Sequence, residues 1–234
     1  MRPSDALIIV QARLGSSRLP GKALKRLAGV TLLARCLDRL LAGGAAPLVL
    51  ATTERPEDDA LDAEAAALGV PCLRGADEDV LARFAQVVET LTPAYVIRAT
   101  ADNPAVDIDA PGRILAHLRR GGVDYVVEQG LPVGAAVEGM RADALLRAAA
   151  EAADPYDREH VTPYIKRPEK RFRVLVPQAP ATLRAPSLRL TVDTEEDLAF
   201  MEAVLRQAGS TATRVPLAGI MRAAWRVSGR KEVA

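Results

Sequence analysis

Hydrophobic and polar positions in the first half of the chain alternate between two periods. Ala6-Leu7-Ile8-Ile9-Val10 is a short unbroken apolar run, the pattern of a strand covered on both faces. Behind Thr31, a good N-cap residue, Leu32, Leu33, Cys36, Leu37, Leu40 and Leu41 recur at helical spacing until Gly43-Gly44. Pro47 to Ala51 predicts a second strand. Glu57 to Leu68 predicts an acidic helix closed by Gly69, and Val70 to Arg74 a third strand weakened by Pro71. Asp77, a good cap, opens a helix reaching Leu91, and Tyr95 to Thr100 reads as a fourth strand. A helix capped by Asp109 then runs to Gly121-Gly122, before a fifth strand from Asp124 to Val127.

Strand, helix, strand at this spacing predicts an α/β fold, Rossmann-like, with a mostly parallel sheet and helices on both faces. In such sheets ligands bind at the carboxyl ends of the strands, so the loops leaving those ends are where chemistry is sought. The second half is less regular. Val137 to Met140, Phe172 to Val176 and Leu188 to Val192 read as strands, and Ala142 to Ala152 and a segment around Tyr164 as helices. Thr194 to Gln207 is strongly amphipathic. No repeat or linker interrupts the 234 residues, and one domain over 1–234 is expected.

Charge and composition narrow the function. The 31 basic and 30 acidic side chains give a formal net charge of +1, so no global field draws the chain to nucleic acid or membrane, and any anion site is local. Three Phe, four Tyr and one Trp are too few for a base-stacking platform. Cys36 and Cys72 lie far apart and form no Cys-x-x-Cys, as expected of a cytoplasmic protein with ordinary thiols. The first apolar run is too short for a signal peptide or a membrane span.

The segment Gln11-Ala12-Arg13-Leu14-Gly15-Ser16-Ser17-Arg18-Leu19-Pro20-Gly21-Lys22 holds two glycines, two serines and three cations directly after a buried strand. Glycine lets backbone N–H groups turn toward an anion, and Arg and Lys add charge-assisted bonds, a composition suited to a triphosphate. It is not a Walker loop: five residues rather than four separate Gly15 from Gly21, and Ala23 after Lys22 cannot ligate Mg²⁺. A cation opening a helix is disfavoured by the dipole, which makes a bound anion the natural partner of Lys22.

Together with Ala51-Thr52-Thr53, Arg74 to Phe84, Arg98 to Pro104, Arg158 to Tyr164 and Thr191 to Leu198, this loop resembles the cytidylyltransferases that activate 3-deoxy-manno-octulosonate and acylneuraminate. The branch it resembles most is that of spore-coat polysaccharide biosynthesis. The blocks keep their order over nearly the whole chain. The resemblance implies the nucleotide-diphospho-sugar transferase type of fold and transfer of CMP from CTP, with Mg²⁺, to a small acidic acceptor such as a sugar acid. It also implies a homodimer, with acceptor binding and dimer contact around residues 129–180.

In residues, the resemblance implies that Arg13, Lys22 and Asp102 are catalytic and that Asp102 and Asp193 hold Mg²⁺. Gln11, Ala12, Gly15, Ser16 and Arg18 would share the triphosphate with Arg13 and Lys22. Ala51, Thr52, Asp77, Asp79, Val80 and Arg83 would wall the base and ribose. Arg98, on a strand, needs an anionic partner, either Asp102 or a substrate phosphate. Glu138, Arg158, Glu159 and His160 would face the acceptor, Arg158 because its fork matches a carboxylate. Asp193 also reads as a helix N-cap. The chain departs from the family around Asp102, where Ala101, Asn103 and Ala105 stand for Gly, Cys and Leu, and where Gln129 to Glu138 replaces a loop containing Pro-Asp-Gly-Leu-Asp. A phosphonate or phosphorylated acceptor, a glycosyltransferase with Asp107-Ile108-Asp109 as its metal motif, and a non-catalytic nucleotide-binding module are the competing expectations.

Overall fold

The computed structural model describes residues 5–16, 18–209 and 214–229; Ser17 of the basic loop lies outside them. In chain order the elements are β1 (Ala6–Gln11), β2 (Arg26–Leu27), β3 (Val30–Thr31), α1 (Leu32–Gly43), β4 (Leu48–Thr53), α2 (Asp59–Ala67), β5 (Cys72–Gly75), α3 (Val80–Leu91) and β6 (Tyr95–Thr100). They continue with α4 (Ala110–Arg119), β7 (Tyr125–Val127), β8 (Glu138–Arg141), α5 (Ala142–Glu151), α6 (Pro155–His160), α7 (Pro163–Lys166), β9 (Val174–Leu175), α8 (Glu195–Ala208) and α9 (Leu217–Ser228).

Among the described residues, seven strands form one sheet in the order β5-β4-β1-β6-β8-β7-β9. β5, β4, β1 and β6 are mutually parallel, while β8 runs antiparallel to both β6 and β7. Because strand side chains alternate between faces, the apolar run of β1 feeds two cores. Ala6, Ile8 and Val10 pack with Leu33, Leu37 and Leu40 of α1 and Ile114 and Leu118 of α4. Leu7 and Ile9 pack on the other side with Val80, Leu81, Phe84 and Val88 of α3 and Leu145 of α5. The sheet is thus covered on both faces, which is why β1 through Val10 and β4 through Ala51 are apolar at every position. A third core joins α8 and α9 through Met201, Val204, Leu205, Ile220 and Met221 to Leu190 and Val192.

Several expected elements differ in the structure. α3 is capped by Asp79, which accepts from Ala82 N at 2.9 Å, and not by Asp77. The Asp77 carboxylate is instead drawn into ion pairs with Arg13 and Arg55. Asp109 stands at the N-cap of α4 without a side-chain cap bond. The acidic helix begins at Asp59, after a 3-10 turn over Pro56–Asp58. Phe172 to Val176 contracts to the two residues of β9.

Leu188 to Val192 forms no strand of the sheet. Its alternation is real, since Leu188, Leu190 and Val192 all enter the third core. Its backbone, however, bonds to a loop: Val133 N donates to Leu188 O at 2.9 Å and Leu190 N to Val133 O at 2.8 Å. Val192 N then donates to Asp102 O at 2.9 Å. Alternation reports which side is apolar and says nothing of the partner. Thr194, not Asp193, caps α8, in a reciprocal box with Asp197.

Candidate active site

β1, β4 and β6 end side by side, Gln11 opposite both Ala51 and Thr100. The loop leaving β1 is held at its root by Asp58, which is 1 % exposed. Asp58 Oδ1 accepts from Leu14 N at 2.9 Å, and Oδ2 accepts from the hydroxyls of Thr52 and Thr53. The loop then folds on itself, with Gly21 N donating to Leu14 O at 3.2 Å and Gly21 at φ 66°, a conformation that favours glycine. A single 3-10 turn, Lys22–Leu24, comes next.

Lys22 is the hub of the site. Its ammonium donates to Asp102 Oδ2 at 2.8 Å, Asp193 Oδ1 at 3.0 Å and the Val192 carbonyl at 3.2 Å. Asp102 arrives from the end of β6 and Asp193 from the segment before α8, joined by the Val192 N bond and by Thr191 Oγ1 donating to Asp102 O at 3.2 Å. Asp193 also accepts from Arg18 at 2.9 Å and from Arg189 at 2.7 Å. Burial alone would raise the Asp193 carboxyl, but Lys22 and Arg189 hold it below its ordinary range.

A cavity of about 270 Å³ opens over this cluster. Of the residues expected at the nucleotide, Gln11, Ala12, Arg13, Gly15, Ser16, Arg18, Lys22, Val80, Arg83, Asp102 and Asp193 line it, joined by Glu159 and His160. Arg13 reaches across to Glu159 at 3.4 Å and to Asp77 at 3.7 Å. Arg83 is 2 % exposed; it donates to the carbonyls of Ala76 and Asp77, while its Nε has no hydrogen-bond partner.

The remaining expected nucleotide contacts sit elsewhere. Ala51 and Thr52 are fully buried under the loop, Thr52 bonded to Asp58. Asp77 and Asp79 do not line the cavity and are held in ion pairs with Arg13, Arg55 and Arg158. Arg98 meets neither Asp102 nor the first cavity: its Nε donates to Gln11 Oε1 at 3.0 Å and its Nη1 to Glu138. The strand register explains this, because β6 residue Arg98 lies directly opposite Glu138 of β8.

Arg98 and Glu138 line a second cavity of about 390 Å³, with Asn103, Tyr156, Thr162 and Lys166. Thr100 and His160 line both cavities. Glu138 accepts from Arg98, from the Tyr125 hydroxyl, from Thr162 Oγ1 at 2.9 Å and from Lys166 at 2.6 Å. Burial pushes its carboxyl up, but Arg98 and Lys166 outweigh that and hold it at about 2. Glu138 and His160 therefore stand in this second cavity. Arg158 does not: it donates to Asp79 at 2.6 Å and to the carbonyls of Ala149 and Ala152.

Sequence reasoning overlooked Asp58, Asn103, Thr162 and Lys166. Asn103, Thr162 and Lys166 lie in or beside the blocks Arg98 to Pro104 and Arg158 to Tyr164, so proximity to those blocks was their available signal. Asp107, first residue of the Asp-Ile-Asp triplet, is 1 % exposed and paired with Arg113 at 2.6 Å. Among the described residues no group of three or more His, Cys, Asp or Glu gathers as a metal cluster. Among them, too, no helix is long and apolar enough to cross a membrane.

Known proteins resemble the chain in sequence and in fold. The spore coat polysaccharide biosynthesis protein SpsF of Bacillus subtilis (strain 168) is 38% identical over 213 residues, covering 88% of each chain. A solved cytidylyltransferase from Leptospira borgpetersenii serovar Hardjo-bovis superposes with a TM-score of 0.87 at 24% identity, over 99% of each chain. A CMP:2-keto-3-deoxy-manno-octonic acid synthetase complexed with CTP shares the fold with a TM-score of 0.67 at 18% identity, over 87% of this chain and 99% of its own. Residues 7–219 match the cytidylyltransferase family model, so the chain belongs to that family and is a nucleotidyltransferase that transfers CMP from CTP.

Proposed function

We propose that the enzyme binds CTP in the first cavity and a small acidic acceptor, a sugar acid in the first instance, in the second. An acceptor oxygen attacks the α-phosphorus in line and pyrophosphate leaves, with no covalent enzyme intermediate. The observation that carries this reading is that the two cavities adjoin at Thr100 and His160, next to Asp102. A nucleotide and an acceptor placed so would meet where the two carboxylates converge.

Arg13, Arg18 and Lys22 line the cavity as three cations, the means of holding a triphosphate and taking up charge that builds on the leaving pyrophosphate. Val80 and Arg83 line the same cavity, and Arg83 Nε is a buried donor without a hydrogen-bond partner. Catalysis of this kind rests on positioning and charge rather than on proton transfer by a side chain.

Asp102 and Asp193 fit Mg²⁺ as a donor set. Hard carboxylate oxygens from two segments converge within 2.8 and 3.0 Å of one ammonium nitrogen, a point where positive charge is already favoured. Mg²⁺ prefers a few carboxylates with phosphate and water completing its shell. Asp102 and Asp193 would hold the ion, which would supply charge neutralisation and lower the pKa of an acceptor hydroxyl.

The acceptor's acidity is supported by the second cavity, where Arg98 and Lys166 set two cations against the one carboxylate of Glu138. The solved relative named for 2-keto-3-deoxy-manno-octonic acid supports a sugar acid. Mass spectrometry of reactions containing CTP, Mg²⁺ and a panel of sugar acids, small phosphonates and neutral sugars tests the assignment. A CMP adduct on a sugar acid is expected. Adducts confined to phosphonates would move the acceptor class, and adducts on neutral sugars would defeat the role given to the second cavity.

A further inference from the structure

Asp102 and Asp193 are not open carboxylates. Lys22 Nζ lies between them at 2.8 and 3.0 Å and is braced from behind by the Val192 carbonyl at 3.2 Å. Arg18 shares Asp193 Oδ1 with Lys22, at 2.9 Å, and Arg189 takes Oδ2 at 2.7 Å. Both oxygens of Asp193 therefore face cations. The three side chains Lys22, Asp102 and Asp193 are 15%, 26% and 14% exposed, so these contacts are only partly screened by water. A metal ion reaching both carboxylates must take the place of the ammonium, and the two positive charges cannot share it.

We propose that Lys22 is a built-in counter-ion that bars free divalent cations from Asp102 and Asp193, so that the metal site opens only when a triphosphate draws Lys22 away. Lys22 and Arg18 sit on one loop, and both line the cavity assigned to the nucleotide. A polyphosphate entering that cavity offers them several negative oxygens in exchange for the carboxylates. The released carboxylates then meet a cation that the nucleotide itself carries. The loop thus couples metal entry to nucleotide entry and disfavours metal bound without substrate. This inference rests on the reading of Asp102 and Asp193 as the metal ligands.

Binding of Mn²⁺ alone to the full chain, followed by electron paramagnetic resonance of the free ion, tests it without any turnover. The wild type without nucleotide is expected to bind Mn²⁺ weakly, and Lys22→Met at least about tenfold more tightly, because a unit charge has been removed from the site. Introducing Asp102→Asn into Lys22→Met should abolish the gained binding. Equal Mn²⁺ affinity in wild type and Lys22→Met, both sensitive to Asp102→Asn, overturns the barrier and leaves the metal site standing. Binding in Lys22→Met that ignores Asp102→Asn overturns the inference by removing the metal ligands themselves. Should Lys22→Met not fold, Lys22→Gln carries the same comparison. Wild-type binding tight enough to saturate at equimolar Mn²⁺, and lost in Asp102→Asn, also overturns it.

Discussion

At the scale of single residues the chain uses charge against charge. Glu138 is largely enclosed yet ionised at about 2, well under its ordinary 4.5. A carboxylate so lowered contributes its full stabilisation above pH 4.5 and loses it as pH falls from 4.5 toward 2. A shift of this size corresponds to about 3 kcal/mol. Glu138→Gln is expected to be destabilised at pH 7 and to lose that part of the acid slope, as denaturant titrations from pH 7 to pH 3 would register. An unchanged slope would mean that another carboxylate governs acid unfolding. Asp102→Asn is expected to keep the fold and CTP binding while turnover drops by about 10² to 10³-fold, the scale of losing one charge-stabilising group at a reaction centre. Near wild-type rates from that variant would remove Asp102 from the mechanism.

At the scale of elements, two loops without regular structure do what a strand was expected to do. Gly134, at φ 89°, lies so close to its neighbours that an added Cβ would stand 2.7 Å from Thr191 Cβ and N and 2.9 Å from Asn103 Oδ1. Asn103 adjoins Asp102, and Thr191 lies two positions before Asp193, so Gly134 sits where the segments bearing both carboxylates meet. Gly134→Ala is expected to lower the melting temperature and to cost more activity than stability alone explains. Normal turnover at a temperature where the variant is fully folded would contradict this. Thr194→Ala, which removes the α8 cap, is expected to cost about 1 kcal/mol in chemical denaturation. The four parallel strands and the helices behind them were legible because each apolar run matches one period. Asp79 rather than Asp77 as the α3 cap was not, since both residues cap equally well by composition and only the pull of Arg13 and Arg55 on Asp77 separates them. Nor was the pairing of Arg98 with Glu138, which depends on an antiparallel register between β6 and β8. Arg158 shows the same limit: its fork suits a ligand carboxylate, and Asp79 supplies one from within the protein.

At the scale of the whole molecule, the candidate active site draws on the ends of β1 and β6, the start of α3, the end of α6 and the segment before α8. The first two cores share the sheet, and the Asp102 carbonyl just after the end of β6 accepts from Val192 N, whose side chain enters the third core. A single cooperative thermal transition is therefore expected for the chain, with two resolved transitions contradicting one unit. For the homodimer that the sequence resemblance implies, light scattering at micromolar concentration is the check, a dimer supporting it and a monomer contradicting it. Beneath these questions of assembly lies the proposed chemistry, in which CTP held by the β1 loop is attacked by an acidic acceptor lying against Arg98 and Lys166. Phosphorus NMR of CTP, Mg²⁺ and the acceptor found by mass spectrometry follows that reaction atom by atom. Pyrophosphate and a new CMP phosphodiester signal are expected to rise in equal amounts. Free CMP or inorganic phosphate appearing in place of that diester would contradict the transfer.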